Sequence, residues 1–166
     1  MMISLDVDKI GFTGSTPVGH MIQKFAAESN LKRVTLELGG KSPVVVCDDC
    51  DLDTAVNTCH VGLFLNMGQC CVAGTRIFVQ DTIYDKFVEK AVAKAKAVKI
   101  GAYDQPGVEQ GPQIDDIQFK RIMGFIDKGK AEGATVATGG KRHGDKGYFI
   151  EPTVFTGESS ANQHNR

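Results

Sequence analysis

The sequence lacks the features of several large classes of protein. Its 19 basic and 20 acidic residues leave a formal net charge of −1, so it has no basic field with which to hold nucleic acid. No apolar run approaches the roughly 18 residues of a membrane span, and residues 1–8 lack the basic and then apolar layout of a signal peptide. We therefore expect no nucleic-acid partner, no membrane partner and a cytoplasmic location.

The cysteine pattern also lacks a disulfide framework and a metal centre. The five cysteines are an odd set without framework spacing, which favours reduced thiols in a reducing compartment. Cys47 and Cys50 form a C-x-x-C pair, but the sequence has no second such pair and no H-x-x-x-H motif near it. We predict no metal site and expect most of the thiols to act as small apolar side chains.

What is present is a regular alternation of strand and helix patterns. The 166 residues suit one domain of ordinary size, and a hydrophobic fraction of 42% is enough to build a core. Strands are predicted at residues 9–13, 33–38, 43–47 and 75–80, helices at 17–28, 51–66, 82–99 and 115–132, and a mixed β region at 136–155. This order predicts an α/β fold with parallel strands.

The last predicted helix, at residues 115–132, has a clear apolar face in the sequence. Its apolar residues recur at helical spacing, and we expect the following to point inward: Ile117, Ile122, Met123, Phe125 and Ile126. Residues 101–113, which precede the helix, are rich in glycine and proline and are predicted to form a loop.

The turn between the first strand and the first helix is a candidate anion site. Ser15 and Thr16 are typical cap residues, and Pro17 suits the first helical turn. Backbone amides at such a helix start carry the positive end of the helix dipole and attract phosphate. The glycines here do not follow G-x-G-x-x-G, so a plain tight turn and a phosphate site both stay open.

Two adjacent thiols form a second candidate site. Cys70 and Cys71 lie in a glycine-flanked bend, residues 68–74, directly before a predicted strand. A cysteine nucleophile acts as its thiolate and needs a nearby base. Glu37 ends the second predicted strand, where open α/β sheets place their chemistry, and is the best candidate for that base. A solvated or ion-paired carboxylate is the alternative, and spacing alone leaves both open.

Several segments resemble the signature segments of one enzyme family. In order and spacing they resemble those of the NAD(P)-dependent aldehyde dehydrogenase superfamily. The segments are Phe12-Thr13-Gly14-Ser15-Thr16, Leu36-Glu37-Leu38-Gly39-Gly40-Lys41-Ser42-Pro43, Gly68-Gln69-Cys70-Cys71-Val72-Ala73-Gly74 and, in support, Gly147-Tyr148-Phe149-Ile150-Glu151-Pro152-Thr153. Within the superfamily, the chain looks most like the cytosolic and mitochondrial class that includes retinal dehydrogenases.

The resemblance implies specific roles for individual residues. Cys71 matches the catalytic nucleophile, and its neighbour Cys70 matches a variable position. Glu37 matches the general base that activates either the thiol or the deacylating water. The positions that match cofactor-binding residues of the family are Gly14, Ser15, Leu38, Gly39 and Gln118.

The activity that the resemblance implies is oxidation of an aldehyde to a carboxylic acid with NAD(P)+. In such a reaction the thiolate adds to the aldehyde, hydride leaves for the cofactor, and water hydrolyses the resulting thioester. NAD is the expected cofactor, with NADP left open, and a small-molecule aldehyde is the expected partner. Full-length family members are expected to form homo-oligomers, and a mitochondrial location also stays open.

The resemblance covers the central third of a family-length chain. It implies that residues 1–39 end a Rossmann-like cofactor domain, residues 40–157 begin the catalytic domain, and residues 158–166 are a tail outside the family pattern. A parallel sheet cut through its middle exposes strand edges and apolar faces. Two alternatives to a truncated dehydrogenase therefore stay open: a non-catalytic fragment that binds a full-length homologue, and a cofactor-independent thiol esterase.

Overall fold

A computed structural model describes residues 3–157, and the tail predicted at residues 158–166 lies outside the described residues. The chain divides into two compact units. The first contains the described residues up to Ser42 together with Cys70–Val72, and the second contains Pro43–Gln69 and the residues from Ala73 onward. Within residues 3–157, no helix combines the length and the apolar character needed to cross a bilayer.

The predicted alternation of strands and helices is confirmed over the described residues. The strands are β1 Lys9–Gly14, β2 Arg33–Leu38, β3 Pro43–Val46, β4 Arg76–Val79, β5 Thr135–Thr138 and β6 Val154–Thr156. The helices are α1 Thr16–Glu28, α2 Leu52–Phe64, α3 Tyr84–Ala97 and α4 Asp116–Ala131. The loop predicted at residues 101–113 is also confirmed, since it contains neither a helix nor a strand.

The first unit consists of a strand, a helix and a second strand that is parallel to the first. β1 and β2 are parallel and pair along their whole length. α1 connects them: Ser15 takes its cap position, and Pro17 lies in its first turn, where the missing N–H costs nothing. The helix buries one face, made of Gly19, Ile22 and Ala26.

The second unit repeats this arrangement and contains most of the apolar core. β3 and β4 are parallel and are connected through α2. α2 begins at Asp51, whose carboxylate Oδ1 accepts a hydrogen bond from the Thr54 N–H at 2.8 Å and so caps the helix. The buried residues of the core cluster come from β3, α2 and α3: Val46, Val56, Cys59 and Phe87.

The mixed β region closes into an antiparallel pair, β5 with β6, with an irregularity between Val136 and Thr138. Gly139 and Gly140 follow β5 with φ of 71° and 74°. A β-carbon at Gly139 would lie 2.3 Å from the carbonyl oxygen of Pro152. Both the left-handed backbone and this close approach require glycine at position 139.

The inward face predicted for α4 is partly wrong. Ile126 is buried and Ile122 and Met123 are half-buried, but Ile117 and Phe125 are 78% and 62% exposed. The helical period is as predicted. Periodicity identifies the apolar face of a helix but does not reveal whether a neighbouring element covers it. Within residues 3–157, Ile117 and Phe125 stay mostly uncovered.

Candidate active site

The carboxyl ends of β1 and β2 form one edge of the first unit. Glu37 pairs with Thr13, and Leu38 pairs with Gly14. Glu37 is exposed, and the chain continues from Leu38 into Gly39, which is exposed as well. Parallel sheets place ligands outside the carboxyl ends of their strands. The predicted base and three predicted cofactor residues therefore share this edge.

The turn from β1 into α1 presents backbone donors to solvent. Ser15 is exposed and extended, with φ −78° and ψ 146°, and its hydroxyl makes no cap hydrogen bond. The Gly19 N–H donates to the Ser15 carbonyl oxygen at 3.0 Å, so the amides before it in the first turn have no partner within the helix. α1 has no acidic residue in that turn. This donor set suits the pyrophosphate of a dinucleotide.

Gly19 lets α1 lie close to β2. A β-carbon at position 19 would lie 3.0 and 3.2 Å from the two methyl carbons of Leu38 and 3.6 Å from Cδ1 of Leu36. The close packing of α1 on β2 therefore determines the position of the Leu38 side chain, a predicted cofactor contact. Sequence reasoning assigned no role to Gly19, although a glycine in the interior of a predicted helix is the signal that points to such packing.

The two-thiol segment belongs to the same unit as Glu37. Cys71 is exposed, whereas Cys70 is half-buried. A β-carbon at Gly40 would lie 3.5 Å from the Cys71 carbonyl oxygen, which is ordinary van der Waals contact. The segment with the predicted nucleophile thus passes close to the chain that leaves β2 three residues after the predicted base.

A left-handed bend in the second unit precedes the thiols. Asn66, Met67 and Gly68 have φ of 53°, 56° and 74°. The Gln69 N–H donates to the Asn66 carbonyl oxygen, and Nδ2 of Asn66 donates to the Gln69 carbonyl oxygen, each at 3.0 Å. Oε1 of Gln69 accepts from the Ile114 N–H at 3.2 Å. Sequence reasoning missed Gln69, because its partner lies 45 positions away in the chain.

Gln118, the remaining predicted cofactor residue, lies in the second unit on the first turn of α4. Its N–H donates to Oδ1 of Asp115, the cap residue of that helix, at 2.7 Å. Its side chain is half-buried. The first unit contains every other predicted site residue.

The remaining thiols differ from Cys71 in their surroundings. Cys59 is buried, and burial raises the pKa of its thiol, with the nearby Cys50 as a smaller cause. Cys47 is exposed and forms a turn with Cys50, whose N–H donates to the Cys47 carbonyl oxygen at 3.3 Å. In the described part of the chain, no group of three or more His, Cys, Asp or Glu side chains is arranged to hold a metal ion.

Comparison with known proteins gives one consistent family. The sequence model of the aldehyde dehydrogenase family matches residues 1–164, a range that overlaps the predicted tail at 158–166. Aldehyde dehydrogenase 9 of Polyandrocarpa misakiensis is 60% identical over 152 residues, which are 92% of this chain and 67% of that protein. The mitochondrial aldehyde dehydrogenase of Homo sapiens is 57% identical over 150 residues, which are 90% of this chain and 29% of that protein.

Solved structures of similar proteins lead to the same family. An aldehyde dehydrogenase from Bacillus cereus in complex with NAD+ has a TM-score of 0.91 at 46% identity, over 95% of this chain and 32% of that one. A betaine aldehyde dehydrogenase from Staphylococcus aureus in complex with NAD+ has a TM-score of 0.92 at 39% identity, over 97% of this chain and 32% of that one. The chain therefore spans about a third of the length of these solved relatives.

Proposed function

The chain belongs to the aldehyde dehydrogenase family, and from that premise we propose that it carries the nucleophile, the base and part of the cofactor site for NAD-dependent oxidation of an aldehyde to a carboxylic acid. Cys71 is the nucleophile and Glu37 is the general base. The partner is a small-molecule aldehyde.

One observation supports this assignment above the others. The chain leaving β2 after Glu37 passes close to the Cys71 segment at Gly40, and both belong to the first unit. The exposed Glu37 carboxylate and the exposed Cys71 thiol are therefore both open to a small molecule at the carboxyl edge of a parallel strand pair.

In the proposed reaction, the Cys71 thiolate attacks the carbonyl carbon of the aldehyde and forms a carbon–sulfur bond. The electron pair of the C=O bond moves to the oxygen, and the backbone N–H of Cys71 donates a hydrogen bond to the oxyanion. The carbonyl then re-forms as a thioester on Cys71 as the hydride on that carbon leaves for the nicotinamide of the cofactor, which would supply the two-electron acceptor. Glu37 then takes a proton from a water molecule, which attacks the thioester, releases the carboxylic acid and restores the Cys71 thiolate.

NAD, or NADP in its place, supplies the hydride acceptor when bound. The first-turn amides of α1 and the hydroxyl of Ser15 would hold its pyrophosphate at the turn that Gly14 begins. In the first unit, Leu38 and Gly39 would lie at the strand end that receives the nicotinamide. In the second unit, Gln118 stays a predicted cofactor-binding residue. The fit rests on the exposed, unpaired donors at Ser15 and on the absence of acidic residues from the first turn of α1.

Steady-state formation of NADH by the purified 166-residue chain, with NAD+ and a panel of aldehydes, tests the proposal directly. We expect turnover that Cys71→Ala abolishes and Cys70→Ala preserves. Turnover equal in the two variants would rule out Cys71 as the nucleophile. Hydrolysis of 4-nitrophenyl acetate that depends on Cys71, in a chain that never reduces NAD+, would favour the thiol esterase instead.

Glu37→Gln separates the two roles open to the base. If Glu37 activates the deacylating water, the variant releases one burst of NADH, equal to the amount of chain, and then stops. If Glu37 activates the thiol, the burst is lost as well. A variant with unchanged steady-state turnover would show that Glu37 is not the base, whatever the role of Cys71.

A second candidate function, binding to a homologous chain, is favoured by the open face of the β3–β4 sheet. Val45 and Phe78 are directly opposite in the register and are 72% and 43% exposed. Parallel sheets are usually covered on both faces. The occupant we propose is a homologous aldehyde dehydrogenase chain, because a solved member of that family shares the fold of this chain at a TM-score of 0.91.

Size-exclusion chromatography of the chain mixed with a full-length homologue tests this second candidate. We expect co-elution that Val45→Lys weakens. Val61→Lys, on an exposed apolar residue of α2, is the matched control and should leave co-elution unchanged. Separate elution of the two proteins, or an equal effect of both substitutions, would exclude binding through this face.

A further inference from the structure

The side chain of Gln69 joins two segments of the second unit that are far apart in sequence. Oε1 of Gln69 accepts from the Ile114 N–H at 3.2 Å, and Nε2 of Gln69 lies 3.5 Å from the Asn66 carbonyl oxygen. The chain continues from Gln69 directly into Cys70 and Cys71. One side chain therefore connects the peptide that leads to the thiols with the segment before α4.

The left-handed bend at residues 66–68, which Gln69 follows, has an unfavourable backbone conformation. Left-handed backbone brings the β-carbon of an L-residue close to the following carbonyl oxygen, and here Asn66 and Met67 adopt it in succession. Asparagine tolerates this conformation better than methionine does, and glycine follows as the third residue. Strained backbone of this kind persists only where its surroundings hold it, and it concentrates at functional sites.

The segment that receives the Gln69 bond is firmly held. Gln113, directly before Ile114, is 4% exposed, and its N–H donates to the Tyr148 carbonyl oxygen at 2.9 Å. Gln110 is 5% exposed, and its Nε2 donates to the Ile150 carbonyl oxygen at 2.8 Å. Ile114 itself is 77% exposed, but it directly follows the buried, hydrogen-bonded Gln113, so the Gln69 side chain attaches to an anchored segment of the unit.

A second contact supports the same arrangement. The Met67 sulfur would lie 3.8 Å from a β-carbon placed on Gly111. The bend thus meets residues 110–114 twice, through Met67 and through Gln69. One residue after Ile114, Asp115 caps α4, which carries Gln118 in its first turn.

We propose that Gln69 is a positioning residue, which holds the peptide entering the two-thiol segment on residues 110–114 and so controls the reactivity of Cys71. The inference rests on the proposed role of Cys71 as the nucleophile. Gln69 itself touches no reacting atom in this scheme. The positioning depends on Oε1 of Gln69, because that atom accepts the hydrogen bond from the Ile114 N–H.

Paired variants test the role of that acceptor. Gln69→Met keeps the length of the side chain and removes the acceptor, Gln69→Asn keeps the amide but shortens its reach, and Gln69→Glu keeps an acceptor at the same distance. Two quantities are measured on the full chain without cofactor: hydrogen exchange of the Ile114 amide, and the ratio of iodoacetamide alkylation rates at Cys71 and Cys70, resolved by mass spectrometry.

In the unaltered chain we expect Cys71, the exposed thiol, to react faster than the half-buried Cys70. In Gln69→Met and Gln69→Asn, exchange at Ile114 should rise about fivefold, the factor that the loss of one hydrogen bond gives, and the two thiols should react at similar rates. Gln69→Glu should restore both slow exchange and the rate difference. This rescue distinguishes positioning from a general loss of structure.

Gln80→Met is the matched control. Gln80 makes an equivalent pair of bonds at another turn of the same unit, accepting from the Asp48 N–H at 2.9 Å and donating to Oδ2 of Asp48 at 2.7 Å. Its substitution should speed exchange at Asp48 and leave the thiol ratio unchanged.

The proposal is overturned if Gln69→Met does not change hydrogen exchange at the Ile114 amide. It is also overturned if exchange changes but the ratio of alkylation rates at Cys71 and Cys70 does not, or if Gln80→Met changes that ratio by the same amount. Failure of the proposed function would give a different result. NADH formation would then be the same in Cys71→Ala as in the unaltered chain, while substitution of Gln69 would still change the ratio of alkylation rates at Cys71 and Cys70.

Discussion

Gly19 of α1 lies directly against Leu38 of β2, so that a β-carbon at position 19 would stand 3.0 Å from a Leu38 methyl carbon. We expect Gly19→Val to destabilise the first unit by about 2 kcal/mol, because overpacking a close helix–strand contact costs about this much. Protection of α1 amides from hydrogen exchange measures the effect. Gly124→Ala is the control: Gly124 lies inside α4 with no atom within 4 Å of an added β-carbon, so it should gain roughly 0.5–1 kcal/mol from helix propensity.

Leu31 offers a place where glycine should stabilise. It has φ of 58° just after α1 and is 79% exposed, so it has the left-handed backbone without compensating burial. We expect Leu31→Gly to raise the free energy of unfolding of the first unit by about 0.5 kcal/mol, as relief of the left-handed strain outweighs the added chain entropy. Leu31→Ala keeps a β-carbon, so it should bring no gain; an equal gain in both variants would mean that strain is not the cause.

His60 should make stability depend on pH. Partial burial lowers its pKa, with Lys94 acting in the same direction and Glu109 against it. The unfolded chain therefore takes up the proton at higher pH than the folded chain. Stability is full above the ordinary value of 6.5 and falls as the pH drops below it.

Urea unfolding between pH 7.5 and 5 measures this dependence. The decline should be smaller in His60→Gln and unchanged in His20→Gln, which alters an exposed histidine. A decline that persists in full in His60→Gln would assign it to other groups.

Cys59 should be the slowest of the thiols to react. Burial raises the pKa of its thiol, and thiolate is the reactive form. Alkylation at neutral pH, followed residue by residue, should modify the exposed Cys47 and Cys71 first and reach Cys59 only through unfolding. Early modification of Cys59 under native conditions would show that the core around Val56 and Phe87 opens easily.

Local patterns in the sequence were sufficient to predict the strands and helices. The alternation in residues 33–38 and the Ser15–Pro17 turn predicted the parallel pair and its connecting helix, because both depend on neighbouring residues. The exposure of Ile117 and Phe125 was not predictable in this way, since burial depends on a covering element.

The bond between Gln69 and Ile114 was also beyond prediction from sequence. Two residues 45 positions apart meet only through the packing of the whole unit. The specific roles of Cys71 and Glu37 came from resemblance to a family and stay predictions, whereas their membership in one unit is a property of the folded chain.

Over residues 3–157, each sheet has just two strands. Each strand therefore keeps one row of backbone N–H and C=O groups without a strand beside it, and such rows are templates for pairing with another molecule. The open apolar face at Val45 and Phe78 adds to this tendency. We therefore expect folding of this chain to compete kinetically with self-association, which becomes faster as the chain concentration rises.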